Sequence, residues 1–145
     1  MFFTPPEEIT RIIPGMKPLR RYLEAQVESD LLEKMVLLSG PRQVGKTTLA
    51  RTLAGSAGGY LNWDSPEDRD RLLRGKMPRS ALWTLDEVHK YRGWRNMLKG
   101  LWDTRQPGQR ILVTGSARLD LYRFGGDSLQ GRYHPLRLHP FSAAE

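Results

Sequence analysis

Along this chain, short apolar runs alternate with stretches in which apolar residues return every three or four positions. Leu19, Tyr22, Leu23, Val27 and Leu31 share one side of a helix that Pro18 opens. Residues 34–39 carry the run Met35-Val36-Leu37-Leu38 and read as a strand buried on both faces. Leu49, Ala50, Leu53 and Ala54 go back to helical spacing, and Gly55 stops it. Gly58-Gly59 marks a break before a second short strand, Tyr60-Leu61-Asn62-Trp63. Ser65 then caps a helix with Pro66 at its first position and Asp68 three residues after the cap, and Gly75 ends it. Ala81 to Leu85 is a third strand. Trp94, Met97, Leu98, Leu101 and Trp102 make an amphipathic helix that Pro107-Gly108 closes. Ile111-Leu112-Val113 is a fourth strand. Tyr133 to Leu138 is a fifth, after the glycine-rich stretch from Gly125 to Gly131.

Strands alternating with helices predict an α/β fold with a mainly parallel sheet of five strands flanked by helices. Ligands of such sheets bind beyond the carboxyl ends of the strands. The polar candidates below all fall at strand ends. Residues 1–17 read as an irregular lead-in, and residues 18–145 as the folded unit.

Between the first strand and the second helix lies Gly40-Pro41-Arg42-Gln43-Val44-Gly45-Lys46-Thr47, followed by Thr48. It fits the phosphate-binding pattern G-x-x-x-x-G-K-[ST] at every fixed position. Glycines let backbone N–H groups curl around phosphate oxygens, and the next helix points its positive end at the same anion. Lys46 would reach the β- and γ-phosphates, and the Thr47 hydroxyl would ligate Mg²⁺. The competing reading is a glycine-containing turn with an incidental lysine. A strand before the loop and a helix after it favour the phosphate site.

Asp86-Glu87 follows the third strand. An aspartate there can complete a Mg²⁺ shell opposite Thr47, and the adjoining glutamate can polarise an attacking water. An acidic turn is the plainer alternative. Thr114-Gly115-Ser116 follows the fourth strand, and a hydroxyl of Ser116 or Thr114 can meet the γ-phosphate or the lytic water. A helix cap is its plainer role. Arg132 precedes the fifth strand. On position alone, an arginine finger and a surface arginine stand equal.

Composition narrows the alternatives. The chain has 145 residues, enough for one domain with a real core, and no cysteine, which excludes disulfides and thiolate metal sites. His89, His134 and His139 lack metal-site spacing. No apolar stretch suits a signal peptide or a membrane span, so a cytoplasmic location is expected. The net charge of +7 suits a polyphosphate site and leaves nucleic acid open as a partner. The basic residues are dispersed, however. Arg69, Arg71 and Arg74 alternate with Glu67, Asp68 and Asp70 as on a solvated helix face. Trp63, Trp83, Trp94 and Trp102 sit where core packing explains them.

These stretches, taken in order, resemble the prokaryotic AAA-like P-loop ATPases whose loop has the form G-P-R-Q-V-G-K-T. The matching segments are Gly40 to Thr48, Leu85 to Lys90 with Trp94 following, Val113 to Ala117, and Ser128 to Tyr133 running into Pro140-Phe141-Ser142. The resemblance implies an additional-strand P-loop NTPase core, with the strand ending at Thr114 between the loop strand and the Asp86 strand. It implies ATP or ADP and Mg²⁺ as ligands. By position it gives Lys46 the phosphates, Thr47 and Asp86 the metal, Glu87 the water, Ser116 a sensor role and Arg132 the finger, reaching a neighbouring subunit in a homo-oligomer. Family members usually continue into a helical lid and a C-terminal domain, which the resemblance places beyond Glu145. Mg²⁺-dependent ATP hydrolysis is the expected activity. The rivals are a nucleotide switch with little turnover and a DNA-associated module. A GTPase would need an N-K-x-D base-reading motif, which the sequence lacks.

Overall fold

The structure, a computed structural model, describes residues 16–40, 49–50, 53, 59–115, 129 and 131–137. Helix α1 spans Met16–Leu31 and β1 Met35–Ser39. After them come β2 Tyr60–Asn62, α2 Pro66–Arg74, β3 Leu82–Asp86, a 3₁₀ turn Val88–Lys90, α3 Trp94–Asp103, β4 Arg110–Gly115 and β5 Tyr133–Arg137. The five strands form one sheet in the order β2-β3-β4-β1-β5, and all four pairings are parallel. This is the α/β P-loop NTPase architecture expected from the sequence. β4 is the additional strand between β1 and β3.

Both faces of the sheet are covered, which is why the strands read as unbroken apolar runs rather than as alternation. On one face Met35, Leu37, Leu61, Trp63, Leu85, Ile111 and Val113 pack with Leu72 of α2 and with Trp94 and Leu98 of α3. On the other, Val36, Leu38, Leu82 and Leu112 pack with Val27 and Leu31 of α1 and with Leu49 and Ala50. Those last two residues are helical, as is Leu53. The four tryptophans belong to the first cluster or pack against it.

Several local expectations hold in detail. The Ser65 hydroxyl accepts from the Asp68 N–H at 3.4 Å, Pro66 is the first residue of α2, and Gly75 ends the helix in the left-handed conformation at φ 71. The cap is one-sided, because the Asp68 carboxylate accepts from the Asn62 N–H at 3.0 Å rather than returning to Ser65. That bond ties α2 to the end of β2. Gly59 stands where a Cβ would come within 2.0 Å of the Leu82 carbonyl, so only glycine fits at the entry to β2.

Some boundaries differ from the sequence reading. α1 begins at Met16, two residues before Pro18. A proline is tolerated in a first turn because its missing N–H would have no intrahelical partner there. Asp86 is the last residue of β3 and not the first after it, and β4 begins at Arg110. Arg69 is not simply solvated: its Nε donates to the Trp63 carbonyl at 3.0 Å and its guanidinium lies over the Trp63 ring.

Candidate functional site

The acidic pair is built by three neighbouring strands. Asp86 lies at the carboxyl end of β3, in register with Asn62 of β2 and Thr114 of β4. Its side chain is 5% exposed. A buried carboxylate must find donors, and this one has a hydroxyl on each oxygen. Thr114 Oγ1 donates to Oδ1 at 2.7 Å, and the Tyr60 phenol donates to Oδ2 at 2.6 Å. Tyr60 sits one pleat below, opposite Thr84, and leans along the sheet to reach the carboxylate. Asn62 Nδ2 donates in turn to the Tyr60 oxygen at 3.5 Å.

Glu87 leaves the strand by a sharp reversal. It is the one non-glycine residue with positive φ among the described residues, at φ 63. Its N–H donates to the Thr114 carbonyl at 2.9 Å, and its own carbonyl accepts from Lys90 N–H at 3.1 Å. A left-handed conformation is costly for a side chain with a Cβ and tends to collect at functional sites. Here it turns the Glu87 side chain out of the strand's alternation. The Glu87 carboxylate stands 3.5 Å from His89 Nε2 and 3.8 Å from Lys90 Nζ, and Lys90 also reaches Asp64 at 2.9 Å. Thr114 therefore holds both acids, Asp86 through its hydroxyl and Glu87 through its carbonyl.

β1 lies one strand beyond β4 and ends at Ser39, in register with Gly115. Gly40, the first residue of the stretch expected to bind phosphate, is therefore at the same edge of the sheet as Asp86. At about 4.8 Å per strand, the loop strand and the Asp86 strand are separated by roughly 10 Å, with Thr114 between them. Pro41, Arg42, Gln43, Val44, Gly45, Lys46, Thr47 and Thr48 lie outside the described residues, as does Ser116. Asp86, Glu87 and Thr114 are brought together, and Gly40 is placed at the same edge.

Arg132 is elsewhere. It directly precedes β5, whose first residue pairs with Met35 at the start of β1, and its carbonyl accepts from Met35 N–H at 3.0 Å. The rule that ligands bind at carboxyl strand ends does not cover this residue. Its guanidinium is paired with Asp103 at the end of α3, at 3.0 Å. Asp103 also meets Lys99 at 3.2 Å. The hydrogen bond from Arg132, with a further one from Lys99, holds the Asp103 carboxyl below its ordinary value of 3.8. Two cations also offset the unfavourable placing of an acid at a helix C-terminus.

Sequence reasoning missed Tyr60. Its contact with Asp86 depends on the pairing of β2 with β3, for which the sequence carries no local signal. The same reasoning gave Thr114 a contact with phosphate or water, whereas its hydroxyl goes to Asp86. Among the described residues, no group of three or more His, Asp or Glu side chains is arranged to hold a metal, and no helix is long and apolar enough to cross a membrane.

With the strand order and the acidic pair established, comparison with known proteins adds a family. A family model described as an AAA domain matches residues 32–145. The chain belongs to the AAA domain family. Membership carries a nucleotide-binding, ATPase-like function for the domain. The AAA domain here is also similar to the uncharacterized protein Rv2008c of Mycobacterium tuberculosis and the uncharacterized protein Mb2031c of Mycobacterium bovis. Each is 37% identical over 109 residues, which is 72% of this chain and 24% of the relative. The AAA domain and its flanking residues thus span about a quarter of the length of those curated relatives.

Proposed function

We propose that this AAA domain binds ATP together with Mg²⁺ and hydrolyses it, with Glu87 as the residue that orients and deprotonates the attacking water. The observation that carries the reading is the acidic pair at the carboxyl edge. A buried aspartate is fixed from two sides at the same edge as Gly40, and the glutamate next to it leaves the strand in a left-handed conformation. Hard oxygen donors suit Mg²⁺, and the Asp86 carboxylate with the Thr47 hydroxyl offers that donor type. When bound, the ion would neutralise charge on the β- and γ-phosphates.

The chain's own residues supply the rest. Backbone N–H groups of the stretch from Gly40 to Thr48, apart from Pro41, would cradle the phosphates, and Lys46 would add a point charge. Ser116 follows β4 directly and is assigned contact with the γ-phosphate or the lytic water. Arg132, at the opposite end of the sheet, is assigned to the site of a neighbouring copy. This reading places the domain in the cytoplasm, where ATP is supplied.

Single-turnover hydrolysis tests the proposal. Excess protein with Mg²⁺ and labelled ATP should release ADP and phosphate, and Glu87→Gln should bind ATP but release product at least about a hundredfold more slowly. Tight binding without product in the parent would instead establish a nucleotide switch.

A further inference from the structure

The hydrogen bonds around Asp86 point to two residues with a part in metal binding that their sequence positions do not reveal. We propose that Tyr60 and Thr114 are positioning residues for the metal. They hold the Asp86 carboxylate from β2 and β4 so that its remaining lone pairs face the ion or its water shell. The assignment rests on the Mg²⁺-dependent nucleotide binding proposed above.

The geometry is that of an oriented ligand. An ionised carboxylate has about four acceptor positions on its two oxygens. The two hydroxyls occupy one on each oxygen, at 2.6 and 2.7 Å, the short range of O–H donation to a charged acceptor. With a donor on each side the plane of the carboxylate cannot rotate freely about χ2. Its open positions are then directed before any ion arrives.

The two donors are held differently. Thr114 is fully buried in the sheet between β1 and β3, and its χ1 is restricted by branching at Cβ. It cannot leave Asp86 without disturbing β4, and its carbonyl holds Glu87 N–H at the same time. Tyr60 is half-buried on the edge strand β2, and its rigid ring carries the phenol across to β3. The 3.5 Å contact from Asn62 Nδ2 is directed at the phenol oxygen, leaving the phenol hydrogen for Asp86. Any displacement of β2 would reach the metal ligand through this bond. Partners of this outer kind orient a ligand, and their loss typically costs 10–100-fold in metal affinity.

The test is a titration of fluorescent ADP with the full chain, in EDTA and across a Mg²⁺ series. Tyr60→Phe removes one oxygen atom and leaves the ring. Thr114→Val removes the hydroxyl at constant shape, and Thr114→Ser restores it. The expected result has three parts. Metal-free ADP affinity stays at the parent value in all three variants. The Mg²⁺ concentration for half-maximal enhancement rises about tenfold in Tyr60→Phe and Thr114→Val. Thr114→Ser stays near the parent. Variants that keep the parent Mg²⁺ requirement would overturn the assignment while leaving the ATPase reading intact. Equal weakening with and without Mg²⁺ would reduce both residues to packing and overturn it too. A parent whose nucleotide binding ignores Mg²⁺ would overturn both this assignment and the reading beneath it.

Discussion

Asp86 and Arg132 stand at opposite ends of the same parallel sheet. Asp86 closes β3 at the carboxyl edge, and Arg132 precedes β5 at the amino edge. By register four residue steps separate the two levels, roughly 13 Å along the strands at about 3.3 Å per residue. An arginine so placed is far from its own chain's acidic pair, and the proposed finger role would have it act on a neighbouring copy. Arg132→Ala should therefore lower the hydrolysis rate by about 10³-fold or more with little change in ATP affinity. Mixing Arg132→Ala with Lys46→Ala chains should restore part of the rate. Unrescued activity in a strictly monomeric sample would return Arg132 to a structural part beside Asp103.

The Asp103–Arg132 pair also has a pH signature. The folded-state value of Asp103 is depressed, first by the hydrogen bond from Arg132. A depressed carboxylate contributes stability above its unfolded value, and that contribution disappears as pH falls through the folded one. The urea midpoints of parent and Arg132→Ala should differ modestly at pH 7 and converge once Asp103 is protonated, below its ordinary 3.8. A gap that stays constant at all pH values would rule out the ion pair as its source.

Glu87 offers a test of backbone strain set apart from chemistry. At φ 63 a residue with a Cβ is strained and glycine is not. Glu87→Gly should be more stable than Glu87→Ala by about 1 kcal/mol, measured by chemical denaturation. Both should be inactive in hydrolysis. Equal stability of the two would mean that the left-handed turn relaxes without cost.

Gly59 is fixed by close approach rather than by φ. A methyl group at this position would meet the Leu82 carbonyl at 2.0 Å, and the Gly59 carbonyl receives Thr84 N–H at 2.8 Å. Gly59→Ala should push β2 off β3. It should destabilise the fold by roughly 1–3 kcal/mol in thermal or urea melts and weaken Mg²⁺-dependent binding through Tyr60. A melting curve like the parent's would contradict this placement of β2.

The strands were legible because a sheet covered on both faces demands apolar runs, and Met35 to Leu38 or Ile111 to Val113 can serve little else. The α2 boundaries were legible because Ser65, Pro66 and Gly75 each answer a backbone requirement at a helix end. The position of β4 between β1 and β3 came from the family resemblance, since no local signal encodes strand order. The Tyr60–Asp86 bond was hidden for the same reason. It depends on the register of β2 against β3, which brings together residues 26 apart in the chain. The Arg132 side chain was visible as a charge, but which end of the sheet it occupies depends on the direction of β5.

In the proposed function, the stretch from Gly40 to Thr48 and the acidic pair form one Mg²⁺·ATP site. Calorimetric titration of ATP into the parent, Lys46→Ala and Asp86→Asn, with and without Mg²⁺, tests it most directly. The account predicts Mg²⁺-enhanced binding in the parent and none measurable in Lys46→Ala. In Asp86→Asn it predicts binding that Mg²⁺ no longer improves, in a folded protein. If both variants bind Mg²⁺·ATP as the parent does, the site lies elsewhere and the account is wrong.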